Sequence, residues 1–210
     1  GIECLGAEEP SVDAEGIIML MRFYAAIGIP VESTRLLVNS MGCDACRPAY
    51  REAVRSYLAE HAGELCEECN RRAEINPLRA FDCKNPGCAA VMEGAPKITD
   101  HLCDECREHY DAVKVLLDGA GVVYEEDYKL VRGLDYYTRT VFEVQVDNGM
   151  GAQNAIGGGG RYDKLAQEVG GRPAPGFGWA LGYERCVLAL EAAGGAFPPA
   201  ARCDFFVACV

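Results

Sequence analysis

Eight of the 12 cysteines in this chain fall between residues 43 and 106, as four spaced pairs. The pairs are Cys43-x2-Cys46, Cys66-x2-Cys69, Cys83-x4-Cys88 and Cys103-x2-Cys106. A Cys-x2-Cys turn aims two sulfurs at one centre, and a tetrahedral zinc site needs four such ligands. The 19 residues between the first two pairs suit a four-cysteine zinc site, while the 14 between the last two are a looser match. This spacing predicts Cys43, Cys46, Cys66 and Cys69 as one structural zinc set. Cys83, Cys88, Cys103 and Cys106 form the second, with His109 able to stand in as a ligand. The bland alternative is a set of free thiols. The stretch between these pairs is rich in breakers (Asn76, Pro77, Asn85, Pro86, Pro96). It offers little else to bury, so its order is expected to depend on metal. A disulfide framework is disfavoured in a chain of 210 residues that opens without a secretion signal. A reducing, cytoplasmic setting follows as the expectation. Cys4, Cys186, Cys203 and Cys209 sit unpaired in apolar segments and read as core residues.

Half of the residues are hydrophobic and a quarter are charged, which excludes a disordered chain and supports a buried core. No apolar run reaches the length of a membrane-spanning helix. A net charge of −12 argues against a free-standing nucleic-acid binder, yet leaves room for a small anion held by a few placed arginines.

Three regions differ in character, residues 1–39, 40–118 and 119–210. The first begins with a short strand and then a helix, for which Ser11 is a candidate N-cap and Gly28 the stop. Residues 34–39 read as a strand. In the cysteine-rich region, residues 48–62 and 103–120 read as helices. In the last, residues 141–146 and 177–182 read as strands and 184–193 as a helix. The run Gly157-Gly158-Gly159-Gly160 reads as a loop leading into a helix start at Arg161-Tyr162-Asp163. Residues 204–210 read as a strand on which the chain stops, as a piece of a longer protein would.

Three segments carry chemistry. Leu130-Val131-Arg132-Gly133-Leu134-Asp135-Tyr136-Tyr137 packs an arginine, an acid and two tyrosines around one glycine. Arginine offers a fork for phosphate or carboxylate oxygens, and tyrosine an aromatic face with a hydroxyl. The glycine run lets a ligand approach the backbone. Gly176-Phe177-Gly178-Trp179-Ala180-Leu181-Gly182-Tyr183-Glu184-Arg185 is a strand running into a helix whose first turn carries Arg185, a favourable place for an anion. Each segment alone could equally be a surface loop, a flexible tether or a strand–helix corner.

Together, in this order, they make the chain resemble the histidyl-tRNA synthetases, a class II synthetase family. The segment from Leu130 to Tyr137 reads as the family's first histidine signature, that from Gly158 to Leu165 as its second, and that from Gly176 to Arg185 as class II motif 3. Asp13-Ala14-Glu15 and Asn76-Pro77-Leu78-Arg79 are similar to further stretches of the family. The resemblance implies an α+β fold on an antiparallel sheet with flanking helices and a mostly helical insertion. The catalytic core would occupy 1–39 and 119–202, the insertion 40–118, and an anticodon-binding domain would begin at 203–210. The resemblance also implies activation of histidine by ATP with Mg²⁺ to histidyl-adenylate, then charging of histidine tRNA, by a cytoplasmic homodimer. Under it, Glu3 and Tyr137 would contact the imidazole, and Tyr136, Gly158, Gly159 and Tyr162 would shape the same pocket. Arg132 would be the catalytic arginine, touching the substrate carboxylate and α-phosphate, and Arg185 would hold the γ-phosphate.

Motifs 1 and 2 and a histidine-contacting glutamine would lie before Gly1, so this piece alone is expected to be poorly active. The competing reading is the synthetase-like regulatory subunit of ATP phosphoribosyltransferase, which shares the fold without aminoacylating. Thr138-Arg139 and the long insertion argue against it. A zinc-dependent interaction module would explain the cysteines but not the histidine signatures.

Overall fold

The computed structural model describes residues 1–130, 136–146 and 154–195, together with Phe205 and Val207. The expected strand over 204–210 therefore lies, apart from those two residues, outside the described ones. Six strands form one sheet: β1 (Ile2–Leu5), β2 (Thr34–Ser40), β3 (Glu125–Glu126), β4 (Thr138–Val146), β5 (Ala155–Arg161) and β6 (Gly176–Leu181). They lie in the order β1-β6-β5-β4-β2-β3. Every pairing is antiparallel except that of β2 with the short edge strand β3. The α+β, antiparallel expectation holds.

Helix α1 (Pro10–Ile27) covers one face of the sheet, burying Ile17, Leu20 and Tyr24. It starts one residue before Ser11. Glu9 is the N-cap and Pro10 opens the first turn, where its fixed φ suits a helix and its missing N–H costs nothing. Gly28 ends it at φ +95°, as read from the sequence.

The cysteine-rich region is more helical than its breakers suggest. It contains α2 (Arg47–Glu60), α3 (Glu67–Ile75), α4 (Pro86–Met92) and α5 (Asp104–Gly119). Asn76 and Asn85 do mark junctions, and Asn85 caps α4 by accepting from the Gly87 N–H at 2.9 Å. Tyr50, Val54, Leu58, Leu78, Met92 and Ile98 are buried and join one apolar cluster with the sheet's Leu36, Val38 and Phe142. The region therefore buries a real core, against the expectation that it would have little to bury. Helix α5 returns the chain to the domain and packs against α1.

The glycine run differs from its reading as a loop. Residues 157–160 are the middle of β5, paired with β4 on one side and β6 on the other. At Gly159 a Cβ would lie 2.0 Å from the Gly178 carbonyl oxygen, so only glycine permits this strand spacing. Arg161 is the buried last residue of β5 and not part of a helix start. The short helix α6 (Leu165–Glu168) follows, and α7 (Tyr183–Ala192) closes the described core.

Candidate functional site

Strands β1, β5 and β6 and the start of α7 surround a cavity of about 450 Å³. Glu3, Tyr136, Tyr137, Gly158, Tyr162 and Arg185 all line it. The sheet register explains the convergence. Glu3 on β1 stands opposite Gly178 on β6, and Gly178 stands opposite Gly160 on β5. A Cβ at residue 178 would lie 1.8 Å from a Glu3 carboxylate oxygen, so the missing side chain is the space the carboxylate occupies. The Tyr162 hydroxyl donates to that carboxylate. Burial, then the Glu3 hydrogen bond, hold the Tyr162 phenol well above its ordinary range, so it remains a donor.

The tyrosines form one aromatic wall. The Tyr136 and Tyr137 rings lie 4.7 Å apart, and Tyr136 meets Tyr162 edge-on at 6.0 Å. Across the cavity, Arg185 projects from the first turn of α7 and donates to the Ala155 carbonyl at 2.7 Å. A carboxylate–phenol pair beside aromatic faces can hold a heteroaromatic ring that carries N–H groups. A helix N-terminus with a guanidinium can hold an anion.

Two further predicted residues remain. Arg132 lies outside the described residues. Gly159 does not line the cavity and instead lets β5 approach β6. Sequence reading missed Trp179, which lines the cavity while its indole N–H donates to the Gly16 carbonyl at 2.8 Å. Its place in the glycine-punctuated strand was the available signal.

The eight paired cysteines are all free thiols and gather into two sets of four. The sets are not those the 19-residue spacing predicted. Cys43 and Cys46 meet Cys103 and Cys106, while Cys66 and Cys69 meet Cys83 and Cys88. The return of α5 alongside the start of α2 brings the first and last pairs together, a long-range contact that linear spacing cannot encode. Sulfur separations are 3.6 Å for Cys43–Cys46, 3.7 Å for Cys43–Cys103 and 3.9 Å for Cys66–Cys83. A tetrahedron with Zn–S bonds of about 2.3 Å has edges of about 3.8 Å. Backbone N–H groups already donate to two of the sulfurs, Cys103 to Cys46 at 3.1 Å and Cys66 to Cys88 at 3.2 Å.

Burial pulls the Cys43 thiol up, but the Cys46 and Ala45 N–H groups outweigh it and bring it down to about 7. The Cys69 N–H does the same for Cys66, also to about 7. Burial pushes Cys69 and Cys106 up. Cys103 and Cys88 are raised as well, so each set has one thiol lowered and two raised, whose protons a cation would have to displace. His109 is not a ligand: its Nε2 donates to Asp13 at 2.8 Å.

The chain is similar to known proteins over most of its length. A histidine–tRNA ligase of Oleidesulfovibrio alaskensis is 51% identical over 207 residues, which is 98% of this chain and 48% of that protein. The crystal structure of the apo histidyl-tRNA synthetase of S. aureus matches with a TM-score of 0.71 at 39% identity, over 93% of this chain and 47% of that one. A Bacillus halodurans structure described as an ATP phosphoribosyltransferase regulatory subunit/histidyl-tRNA synthetase matches at 19% identity and TM-score 0.55, over 92% of this chain and 52% of that one. That likeness extends to the fold alone, so the regulatory reading has the weaker support. The chain spans about half the length of the curated relatives it matches. The family model for histidyl-tRNA synthetase covers residues 1–186, both the pocket and the cysteine-rich insertion, and this chain therefore belongs to the histidyl-tRNA synthetase family.

Proposed function

We propose that the protein carrying this chain activates histidine with ATP to histidyl-adenylate and transfers it to histidine tRNA. The observation that carries this reading is the meeting of Glu3, Tyr136, Tyr137 and Tyr162 around one cavity with Arg185 at its far wall. Glu3 accepts an imidazole N–H, Tyr162 orients Glu3, and Tyr136 and Tyr137 flank the ring. Arg185 takes the γ-phosphate at the start of α7, where the helix dipole adds to its charge. Arg132, in the segment just before Tyr136, bridges the substrate carboxylate and the α-phosphate. There it offsets the charge that builds as the carboxylate attacks in line. Mg²⁺ would accompany the ATP phosphates, as the family implies.

The eight paired cysteines hold two structural Zn²⁺ ions, supported by sulfur spacings that match a tetrahedron of thiolates. Thiolates without disulfides suit a reducing compartment, so the cytoplasm is the proposed location. Among the described residues no helix is long and apolar enough to cross a membrane. A homodimer is the proposed assembly, by family resemblance.

The test is Arg132→Ala in the full-length protein, followed by histidine-dependent ATP–pyrophosphate exchange. Loss of a transition-state contact worth about 2–4 kcal/mol should lower the rate roughly 30- to 1,000-fold with little change in histidine affinity. Wild-type protein that shows no histidine-dependent exchange would sink the reading.

A further inference from the structure

The two cysteine sets sit in different surroundings. The Cys66, Cys69, Cys83 and Cys88 set joins elements of the insertion to each other, around α3 and α4. The Cys43, Cys46, Cys103 and Cys106 set lies where the insertion leaves β2 and where α5 begins its return.

We propose that this second set, once it holds its metal, is a positioning device for the substrate pocket, clamping the entry into β4 from Tyr137 to Arg139. The inference rests on the synthetase reading only for the identity of the substrate.

Polar links from this strand start to the insertion reach the segments that flank Cys43, Cys46 and Cys106. The Met41 N–H donates to the Arg139 carbonyl at 2.6 Å, and the Arg139 N–H donates to the Gly42 carbonyl at 2.9 Å. Arg47, one residue past Cys46, donates to the Tyr137 carbonyl and, at 3.2 Å, to the Met41 carbonyl. The Arg139 side chain reaches α5, three residues past Cys106. Its guanidinium donates to His109 Nδ1 at 3.4 Å and lies 3.7 Å from the Glu105 carboxylate. Thus residues flanking Cys43 and Cys46 hold the backbone at the start of β4, and Cys103 and Cys106 lie at the start of the helix that holds the Arg139 side chain.

The clamped residue needs holding. Arg139 has φ +46°, the sole positive φ at a non-glycine among the described residues. Such a conformation is strained and persists only where neighbours over-determine it. The pairing of β4 with β5 shifts register between Thr138 and Val141, so the ladder alone does not fix Arg139. Gly42 itself is at φ +59°, and a Cβ there would lie 2.8 Å from the Cys46 Cβ, so the knuckle packs directly on the residue that accepts from Arg139. Tyr137, two residues upstream of Arg139, lines the cavity with only 7% exposure. Loosening the knuckle would release Arg139 from its strained state and let the Tyr136–Tyr137 wall move.

The experiment compares Cys103→Ser/Cys106→Ser with Cys83→Ser/Cys88→Ser and Arg47→Gln in the full-length, metal-loaded protein. Metal content, amide exchange at residues 41 and 139, and KM and kcat for histidine in pyrophosphate exchange are measured. The first variant should lose one of two metals, exchange those amides at least tenfold faster, and raise the histidine KM at least tenfold with kcat changed less than threefold. The second should also lose one metal, yet leave amides and KM within twofold. Arg47→Gln should keep both metals and still raise KM about fivefold, which separates clamping from a general loss of folding. Equal effects of the two cysteine variants, unchanged amides after loss of the first metal, or a wild-type protein without metal would overturn the proposal. If wild type shows no histidine-dependent exchange, the synthetase reading fails, while the amide data still decide the clamp.

Discussion

Arg161 and Asp13 meet where neither is exposed to solvent, with the Arg161 Nε–H shared between both Asp13 carboxylate oxygens at 3.0 and 3.2 Å. The pair ties the end of β5 to the first turn of α1. Nη1 of the same guanidinium donates to Asp163 at 3.0 Å and to the Ala7 carbonyl at 2.9 Å, and Asp13 also accepts from His109 on α5. Burial disfavours the charged guanidinium, but the Asp13 hydrogen bonds and charge outweigh it and hold Arg161 above its ordinary range. Three elements that frame the pocket and the insertion thus share one buried ionic junction.

Removing one member leaves the other charge buried and alone. Arg161→Met should cost about 3–5 kcal/mol of stability, read as the shift in a urea unfolding midpoint at constant m-value. Asp13→Leu combined with Arg161→Met should recover part of that loss, because the double change leaves neither charge stranded. A single-variant loss below about 1 kcal/mol would show that solvent reaches the junction.

Within the pocket, Tyr162 and Gly178 both act on Glu3. Tyr162→Phe removes a hydrogen bond to a charged group, worth about 1.5–3 kcal/mol, and should raise the histidine KM by roughly ten- to a hundredfold. Gly178→Ala puts a methyl where the Glu3 carboxylate lies and should weaken histidine by at least as much, with ATP affinity little changed. Histidine affinity unchanged in both variants would remove Glu3 from the proposed imidazole contact.

The pairing of the cysteine sets predicts metal stoichiometry. Cys43→Ser and Cys106→Ser should each remove the same single metal, and Cys43→Ser/Cys106→Ser no more than one. Cys43→Ser/Cys66→Ser should remove both. Elemental analysis of purified variants reads this directly. Loss of both metals from Cys43→Ser/Cys106→Ser would restore the sequential grouping in place of the nested one. Stripping metal with a chelator under reducing conditions should loosen the insertion without unfolding it, since Tyr50, Val54 and Leu58 remain buried.

By itself the sequence determined the elements with strong local signals. The apolar spacing of α1 with Gly28 as its stop, the β-branched run of β4 and the apolar helix α7 are local properties of the chain. The signature segments also pointed to Tyr136, Tyr137, Tyr162 and Arg185, and the family resemblance to Glu3, and all five share one cavity. The tertiary structure alone decided three things. A glycine run reads as a loop because glycine disfavours isolated strands, yet β5 lies between two partners that leave no room for a Cβ at Gly159. Arg161 reads as part of a helix start, and stands buried at the end of β5 because Asp13, 148 residues away in the chain, supplies the compensating carboxylate. The cysteine sets could not be assigned from spacing, because every pair is locally equivalent. The choice between Cys66 and Cys103 as partner for Cys43 is made by α5 packing back against α1, and that contact is stabilised by an apolar cluster that also takes in Cys46 and Cys106.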